Sequence, residues 1–127
     1  RICGDSPLLL TPLFNQALSI YNSGSYDLIT NVFPRTFPVG MSMELIKTKS
    51  FLETEKKIVK KKDREHFTRY FYQNSKNFQM YNIECANLTD PDLKLAVDKL
   101  KDLKRLETWF LTKGKEYEDL FPILSAK

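Results

Sequence analysis

Two aspartates far apart in the chain, Asp5 and Asp98, each stand where an apolar run breaks into a new helix. Asp5 follows Arg1-Ile2-Cys3-Gly4 and precedes Ser6-Pro7, while Asp98 closes Leu95-Ala96-Val97. In an open α/β sheet such junctions lie along the carboxyl edge of the strands, where ligands collect. Carboxylates delivered there by separate strands can share one hard cation such as Mg2+, the kind of ion phosphate chemistry requires. Gly4 would let the backbone approach a ligand closely. Each aspartate also has an ordinary use: Asp5 can open the turn before Pro7, and Asp98 can cap a helix beginning at Lys99. The pairing is the functional clue, since either residue alone is better explained by its local use.

Arg35 lies in Pro34-Arg35-Thr36-Phe37-Pro38-Val39-Gly40, a loop stiffened by two prolines. Proline fixes φ and lowers the entropy lost on ordering, so this loop can hold Arg35 and Thr36 ready for a carboxylate or phosphate. Asp63-Arg64-Glu65-His66 places four ionisable side chains at one helical start, with Asp63 as the expected cap. His66 is the only histidine, which excludes zinc clusters of the usual kind. The chain has no GxGxxG, no P-loop and no serine nucleophile elbow, so nothing in it would cradle a triphosphate.

The elements that must position these groups read as alternating helices and strands. Thr11-Pro12 starts a helix, with Thr11 as cap, that carries Leu13, Phe14, Ala17, Leu18 and Tyr21 and ends near Asn22. Tyr26 to Val32 reads as a strand. Met41, Met43 and Leu45 alternate with Ser42, Glu44 and Ile46 as a half-buried strand. Lys49 to Lys61 is helical by period, and Arg64 to Tyr72 forms the next helix. Phe78 to Ile83 and Lys94 to Val97 are short strands. Lys99 to Phe110 is an amphipathic helix with Leu100, Leu103, Leu106 and Phe110 on one stripe, and a last helical piece follows Gly114. This order predicts an α/β fold, a mixed sheet flanked by helices.

The 127 residues, 42% of them hydrophobic, suffice for one domain with its own core. The chain opens on Arg1 in what reads as the end of a buried strand, and a preceding portion of the fold is expected. The net charge of +4 suits anionic substrates, and much of the excess sits in Lys56, Lys57, Lys60, Lys61, Lys62 and Arg64, which read as a solvated helix face. Cys3 and Cys85 lack metal-type spacing and are expected as free, buried or half-buried thiols of a reducing cytoplasm. No run approaches the ~18 apolar residues of a membrane span.

At the level of motifs, Arg1-Ile2-Cys3-Gly4-Asp5-Ser6-Pro7-Leu8 resembles the RxTGDxPL strand-edge motif of the cytidylyltransferases. Residues 30–40, Thr30-Asn31-Val32-Phe33-Pro34-Arg35-Thr36-Phe37-Pro38-Val39-Gly40, are similar to the SNxxPRTxPxG segment of their spore-coat-polysaccharide branch. Asp63-Arg64-Glu65-His66-Phe67-Thr68 and Leu95-Ala96-Val97-Asp98 follow in the family's order, like its DREHVT and LTVD segments. The resemblance implies the C-terminal half of an acylneuraminate-type (CMP-sugar) synthetase domain over residues 1–127. That half is a partial nucleotide-diphospho-sugar-transferase fold, GT-A-like, without its N-terminal nucleotide-binding half. It further implies Mg2+-dependent transfer of CMP from CTP to an acidic sugar for surface-polysaccharide or glycan synthesis, in a cytoplasmic homodimer. Asp5 and Asp98 then take the metal and catalytic roles, and Arg35, Thr36, Glu44, Glu65 and His66 the sugar side. The chain departs from the family where Asp98 is followed by Lys99-Leu100-Lys101-Asp102 rather than Thr-Pro-Glu-Asp, and where Cys3 replaces threonine.

Two rival readings come from other classes. The basic stretch Lys56 to Arg64 could contact nucleic acid, with affinity falling steeply as salt rises, although no aromatics interleave with its lysines. The strand at 41–46 could instead serve a non-catalytic dimer.

Overall fold

The computed structural model describes residues 3–59, 64, 66–87, 93–113 and 120–123. Its elements are helix α1 (Thr11–Ser23), strand β1 (Leu28–Thr30), strand β2 (Glu44–Ile46), helix α2 (Thr48–Glu55), helix α3 (Arg69–Gln73), strand β3 (Met80–Asn82) and helix α4 (Leu100–Lys113). Helices and strands are interspersed, with β1–β2 and α2–α3 each following in succession, and the sheet is mixed as expected. β1 lies in the centre of a three-stranded sheet of order β2-β1-β3. It pairs antiparallel with β2, Thr30 opposite Glu44, and parallel with β3, Thr30 opposite Asn82. Leu28, Ile29 and Thr30 are all buried, as a central strand covered on both faces requires.

The strands are shorter than their apolar runs. Asn31, fully buried, ends β1 by turning its side chain onto a neighbouring segment: Nδ2 donates to the Met41 carbonyl at 2.7 Å and Oδ1 accepts the Met43 N–H at 2.8 Å. Met41 and Met43 are buried as predicted, but an amide side chain stands in for the ladder partner they would need as a strand. Beyond β1, Val32 and Arg35 form an isolated antiparallel bridge around the cis peptide Phe33–Pro34.

Helix α1 buries Leu13, Ala17 and Ile20, spaced to face one side. Leu10, not Thr11, takes its N-cap position, and Pro12 lies in the first turn where its missing N–H costs nothing. Leu18 is half exposed and Tyr21 also faces outward, so the buried stripe runs through Ile20 rather than through those two. Helix α2 ends at Glu55, short of the expected Lys61; residues 60–63, the expected cap Asp63 among them, lie outside the described part. Arg64 is helical as expected, but residues 66–68 form a turn, so the helix expected to run on to Tyr72 is interrupted and α3 starts afresh at Arg69.

Helix α4 corrects the expected stripe. Leu106 is buried, but Leu100, Leu103 and Phe110 are 68%, 41% and 40% exposed. The inward face is built instead from Asp102, Leu106 and Trp109. Asp102 faces inward because it serves the helix start: its Oδ2 accepts the N–H groups of Asp98 (3.2 Å) and Lys99 (3.0 Å). These are orphan donors at a helix N-terminus, and the expected cap Asp98 supplies one of them. Cys3 is exposed rather than held in a buried strand, whereas Cys85 is buried; both are free thiols.

One core unites Leu10, Leu13 and Ala17 of the first helical region with Ile29, Phe37, Met41, Ile83, Leu95, Leu106 and Phe121. Phe37 belongs to the two-proline loop, so that loop is anchored in the core by a ring whose truncation would cost about 3–5 kcal/mol. Among the described residues no helix is long and apolar enough to cross a membrane.

Candidate functional site

The carboxyl ends of the parallel strands β1 and β3 carry the two-proline loop. Asn82, last in β3, accepts the Phe33 N–H at Oδ1 (3.0 Å) and donates from Nδ2 to the Pro34 carbonyl (3.0 Å). Thr36 pins the other side of the loop, its Oγ1 accepting the Cys85 N–H at 2.9 Å. Thr36, expected on the sugar side, holds the loop to Cys85 through this bond. Arg35, exposed at the loop tip, is steadied by a hydrogen bond from its guanidinium to Ser42 Oγ at 3.1 Å.

Glu44, the first residue of β2, meets this loop through a residue that no motif marked. Tyr72 of α3 donates its hydroxyl proton to Glu44 Oε1 and lies 2.9 Å from Thr30 Oγ1 at the end of β1. The Phe33 ring stacks on Tyr72, their centroids 5.1 Å apart. Burial pushes the Tyr72 phenol far above the ordinary tyrosine value and the bond to Glu44 adds to it, while Thr30 and the positive charge of Arg35 pull in the opposite sense. Glu44 and Thr30 therefore meet on one protonated phenol at the carboxyl edge of the sheet, the edge from which the loop of Arg35 departs.

His66 is exposed on the turn before α3, where its carbonyl accepts the Arg69 N–H at 3.0 Å. Glu65 lies outside the described residues. Among the described residues no hydrogen bond or ion pair joins His66 to the Glu44–Tyr72 pair.

The two aspartates are joined through the backbone. The Val97 N–H donates to the Asp5 carbonyl at 2.8 Å, so Asp98 follows directly on the residue that pairs with Asp5. Asp5 is exposed and accepts a bond from its neighbour Ser6 at Oδ1, 3.2 Å. The Asp98 side chain, 52% exposed, is ion-paired with Lys94, four residues before it on the extended segment. The hydrogen bond to Asp98 holds the Lys94 ammonium above its usual range despite partial desolvation. Burial pushes the Asp102 carboxyl up, but the N–H groups of Asp98 and Lys99 and the Lys94 charge together carry it below the ordinary carboxylate value. Among the described residues no three His, Cys, Asp or Glu side chains gather as a metal cage. Two carboxylates with open faces suit Mg2+, which keeps water and substrate phosphates as its remaining ligands. Occupancy by Asp98 would require Lys94 to yield.

A segment crossing beside Gly40 links the two sets of residues. Leu95 N–H donates to the Val39 carbonyl at 2.6 Å, and Val39 bridges Lys94 in parallel. Gly40 makes this approach feasible: its φ is +102°, and a Cβ there would lie 2.3 Å from the Ala96 nitrogen. The strand expected at Lys94 to Val97 is realised as these single backbone bonds to Val39 and Asp5.

A cavity of about 170 Å³ lies elsewhere, lined by Asp27, Ser50, Thr54, Lys57, Tyr70 and Phe78 at the amino ends of β1 and β3. It is smaller than the few hundred Å³ that ligand pockets usually occupy. Asp27 there is engaged in structure, accepting from Ser50 and from the Gln79 N–H at 2.9 Å.

Comparison with solved structures brings in a cytidylyltransferase from Leptospira borgpetersenii serovar Hardjo-bovis. It matches with a TM-score of 0.80 and 24% sequence identity over 88% of this chain. The fold is shared with a cytidylyltransferase. By sequence the chain is 27% identical over 105 residues, 82% of its length, to an uncharacterized protein of Methanocaldococcus jannaschii. No family model matches. The chain spans 42% of the archaeal protein and 48% of the Leptospira chain, less than half of each. The α/β architecture with a mixed sheet, expected from element order, agrees with this cytidylyltransferase match. Tyr72, Asn82 and Asn31 escaped sequence reasoning because each acts through partners distant in sequence. Only the run of aromatics Tyr70-Phe71-Tyr72 carried any local signal there, and it reads equally as core.

Proposed function

We propose that this chain forms the acceptor-sugar and metal-binding part of a cytidylyltransferase that moves CMP from CTP to an acidic sugar, with release of pyrophosphate. The observation that carries the proposal is the Glu44–Tyr72–Thr30 cluster, with the Ser42-held Arg35 on the adjoining loop, at the carboxyl edge of the sheet, the edge that binds ligands in open α/β folds. The shared fold with a cytidylyltransferase supports it.

In this reading Arg35 takes the sugar carboxylate through its guanidinium, held at the loop tip by Ser42. Glu44 accepts a hydrogen bond from a sugar hydroxyl, since a carboxylate bonded by one phenol keeps lone pairs for others. Glu65 and His66 close the acceptor side, as the motif resemblance implies. Asp5 and Asp98 would hold Mg2+, which would take the place of Lys94 on Asp98. The ion, when bound, supplies positive charge to offset what develops on the phosphate. The protein residues contribute positioning: an acceptor fixed by Arg35 and Glu44 meets the nucleotide at raised effective concentration. The nucleotide's base and triphosphate are recognised by residues outside this chain. A cytoplasmic homodimer active in surface-polysaccharide or glycan synthesis is part of the same proposal.

The test is pyrophosphate release from CTP by the intact protein with sugar acids as acceptors, with and without Mg2+. Asp5→Ala should lower the rate at least about a hundredfold, as loss of one electrostatic element at a reacting phosphate does. An unchanged rate would remove Asp5 from the metal site.

A further inference from the structure

We infer that Tyr72 is the positioning residue of the acceptor side, holding the Glu44 carboxylate in place through a one-way hydrogen-bond relay that starts at β1. The inference rests on the acceptor reading of Arg35 and Glu44 given above and adds to it a residue that the motifs do not contain.

The direction of the relay follows from the inventory of donors. A tyrosine hydroxyl has one proton, and Tyr72 gives it to Glu44 Oε1. The bond of 2.9 Å to Thr30 must then be donated by Thr30 Oγ1 to the phenol oxygen. Thr30 pulls the phenol's pKa down, in keeping with a donor to that oxygen, which favours the phenolate. Thr30 Oγ1 in turn accepts the Val32 N–H at 3.3 Å. The chain runs Val32 N–H to Thr30 to Tyr72 to Glu44, every donor pointing toward the carboxylate.

The relay is rigid at its origin, since Thr30 is fully buried in the central strand. Burial and the bond to Glu44 keep the phenol protonated throughout the physiological range, so it always donates. Phe33 covers the Tyr72 ring and fixes its plane. Glu44 stands at the start of its strand, and Tyr72 selects which way its flexible carboxylate faces. Arg35 is held separately, by Ser42, so Tyr72 positions the Glu44 contact alone.

The experiment compares Tyr72→Phe, Thr30→Val and Thr30→Ser in the intact protein. Pyrophosphate release is followed with CTP and N-acetylneuraminate as the acceptor probe. Tyr72→Phe should raise the acceptor KM roughly tenfold, the worth of a hydrogen bond to a charged group, with the CTP KM within about twofold of the parent. Thr30→Val should act in the same sense, and Thr30→Ser should restore the parent value. Equal changes in both KM values, or none, overturn the assignment. The Glu44 13Cδ chemical shift at neutral pH gives a readout independent of turnover. Tyr72→Phe and Thr30→Val should move it in the same direction, and Thr30→Ser should leave it in place. A shift insensitive to Thr30→Val overturns the relay. A parent protein that releases no pyrophosphate counts against the transferase reading, while the 13C arm still decides the relay.

Discussion

The backbone N–H of Val97 donates to the carbonyl oxygen of Asp5 at 2.8 Å, and this one bond puts Asp98 on the chain beside Asp5. Asp5 and Asp98 come from opposite ends of the sequence, and neither has a local reason to meet the other. The Lys94 ammonium is held by Asp98 and lies 3.9 Å from Asp102, so it competes with the cation proposed for Asp98.

Lys94→Ala should therefore tighten divalent-ion binding by removing the competing charge. Titration of Mn2+ as a Mg2+ surrogate, followed by its electron paramagnetic resonance signal, checks this. Tighter binding in Lys94→Ala that Asp98→Asn then abolishes is the expected result; indifference to both changes would remove Asp98 from the metal site.

Gly40→Ala should destabilise the fold. The positive φ alone costs a non-glycine residue on the order of 1–3 kcal/mol, and the new Cβ would press on backbone atoms of Leu95 and Ala96 that cannot swing aside. Thermal melts by circular dichroism should show a lowered Tm. Because residues 39–41 join the loop of Arg35 to the segment before Asp98, turnover should fall with stability.

Asn31→Leu removes both bonds that stand in for a strand ladder, leaving the Met41 carbonyl and the Met43 N–H without their buried partner. The expected loss is about 2–4 kcal/mol, the cost of stranding two buried backbone groups. Urea denaturation measures it, and a midpoint shift at constant m-value is the anticipated form.

Asp102 makes stability sensitive to acid. Its carboxyl titrates lower in the folded protein than in the unfolded chain, so the anion's contribution is complete above the ordinary carboxylate value. That contribution is lost as pH falls through the lowered folded value. Asp102→Asn should flatten the acid limb of Tm against pH while lowering Tm at neutral pH. A parallel acid limb in the variant would place the titrating group elsewhere.

Much of the fold could be read in advance because its signals are local. The helix over residues 11–23 follows from apolar spacing and from Pro12 in a first turn. The alternation of strands and helices fixed the α/β class, and the two prolines around Arg35 marked an ordered loop whose Phe37 proves buried. Strand lengths were overestimated, since apolar runs continue past the point where Asn31 diverts the hydrogen bonding to its side chain. The stripe on α4 was misplaced for a similar reason. Leucines at helical spacing mark an apolar face, but the demand for a carboxylate at the helix start turned Asp102, and with it Leu106, toward the core.

The sequence by itself determined the order of the elements, the loop that carries Arg35, and the two aspartates at helix starts. Periodicity, proline stereochemistry and capping act over a few residues and are written into short segments. Only the tertiary structure decided that Asp5 lies beside Val97, that Lys94 occupies Asp98, and that Tyr72 joins Thr30 to Glu44 across separations of 42 and 28 residues. Such contacts depend on how sheet, loop and helix pack together. No short segment between them signals the meeting, which depends on the core packing of residues such as Phe37 and Met41.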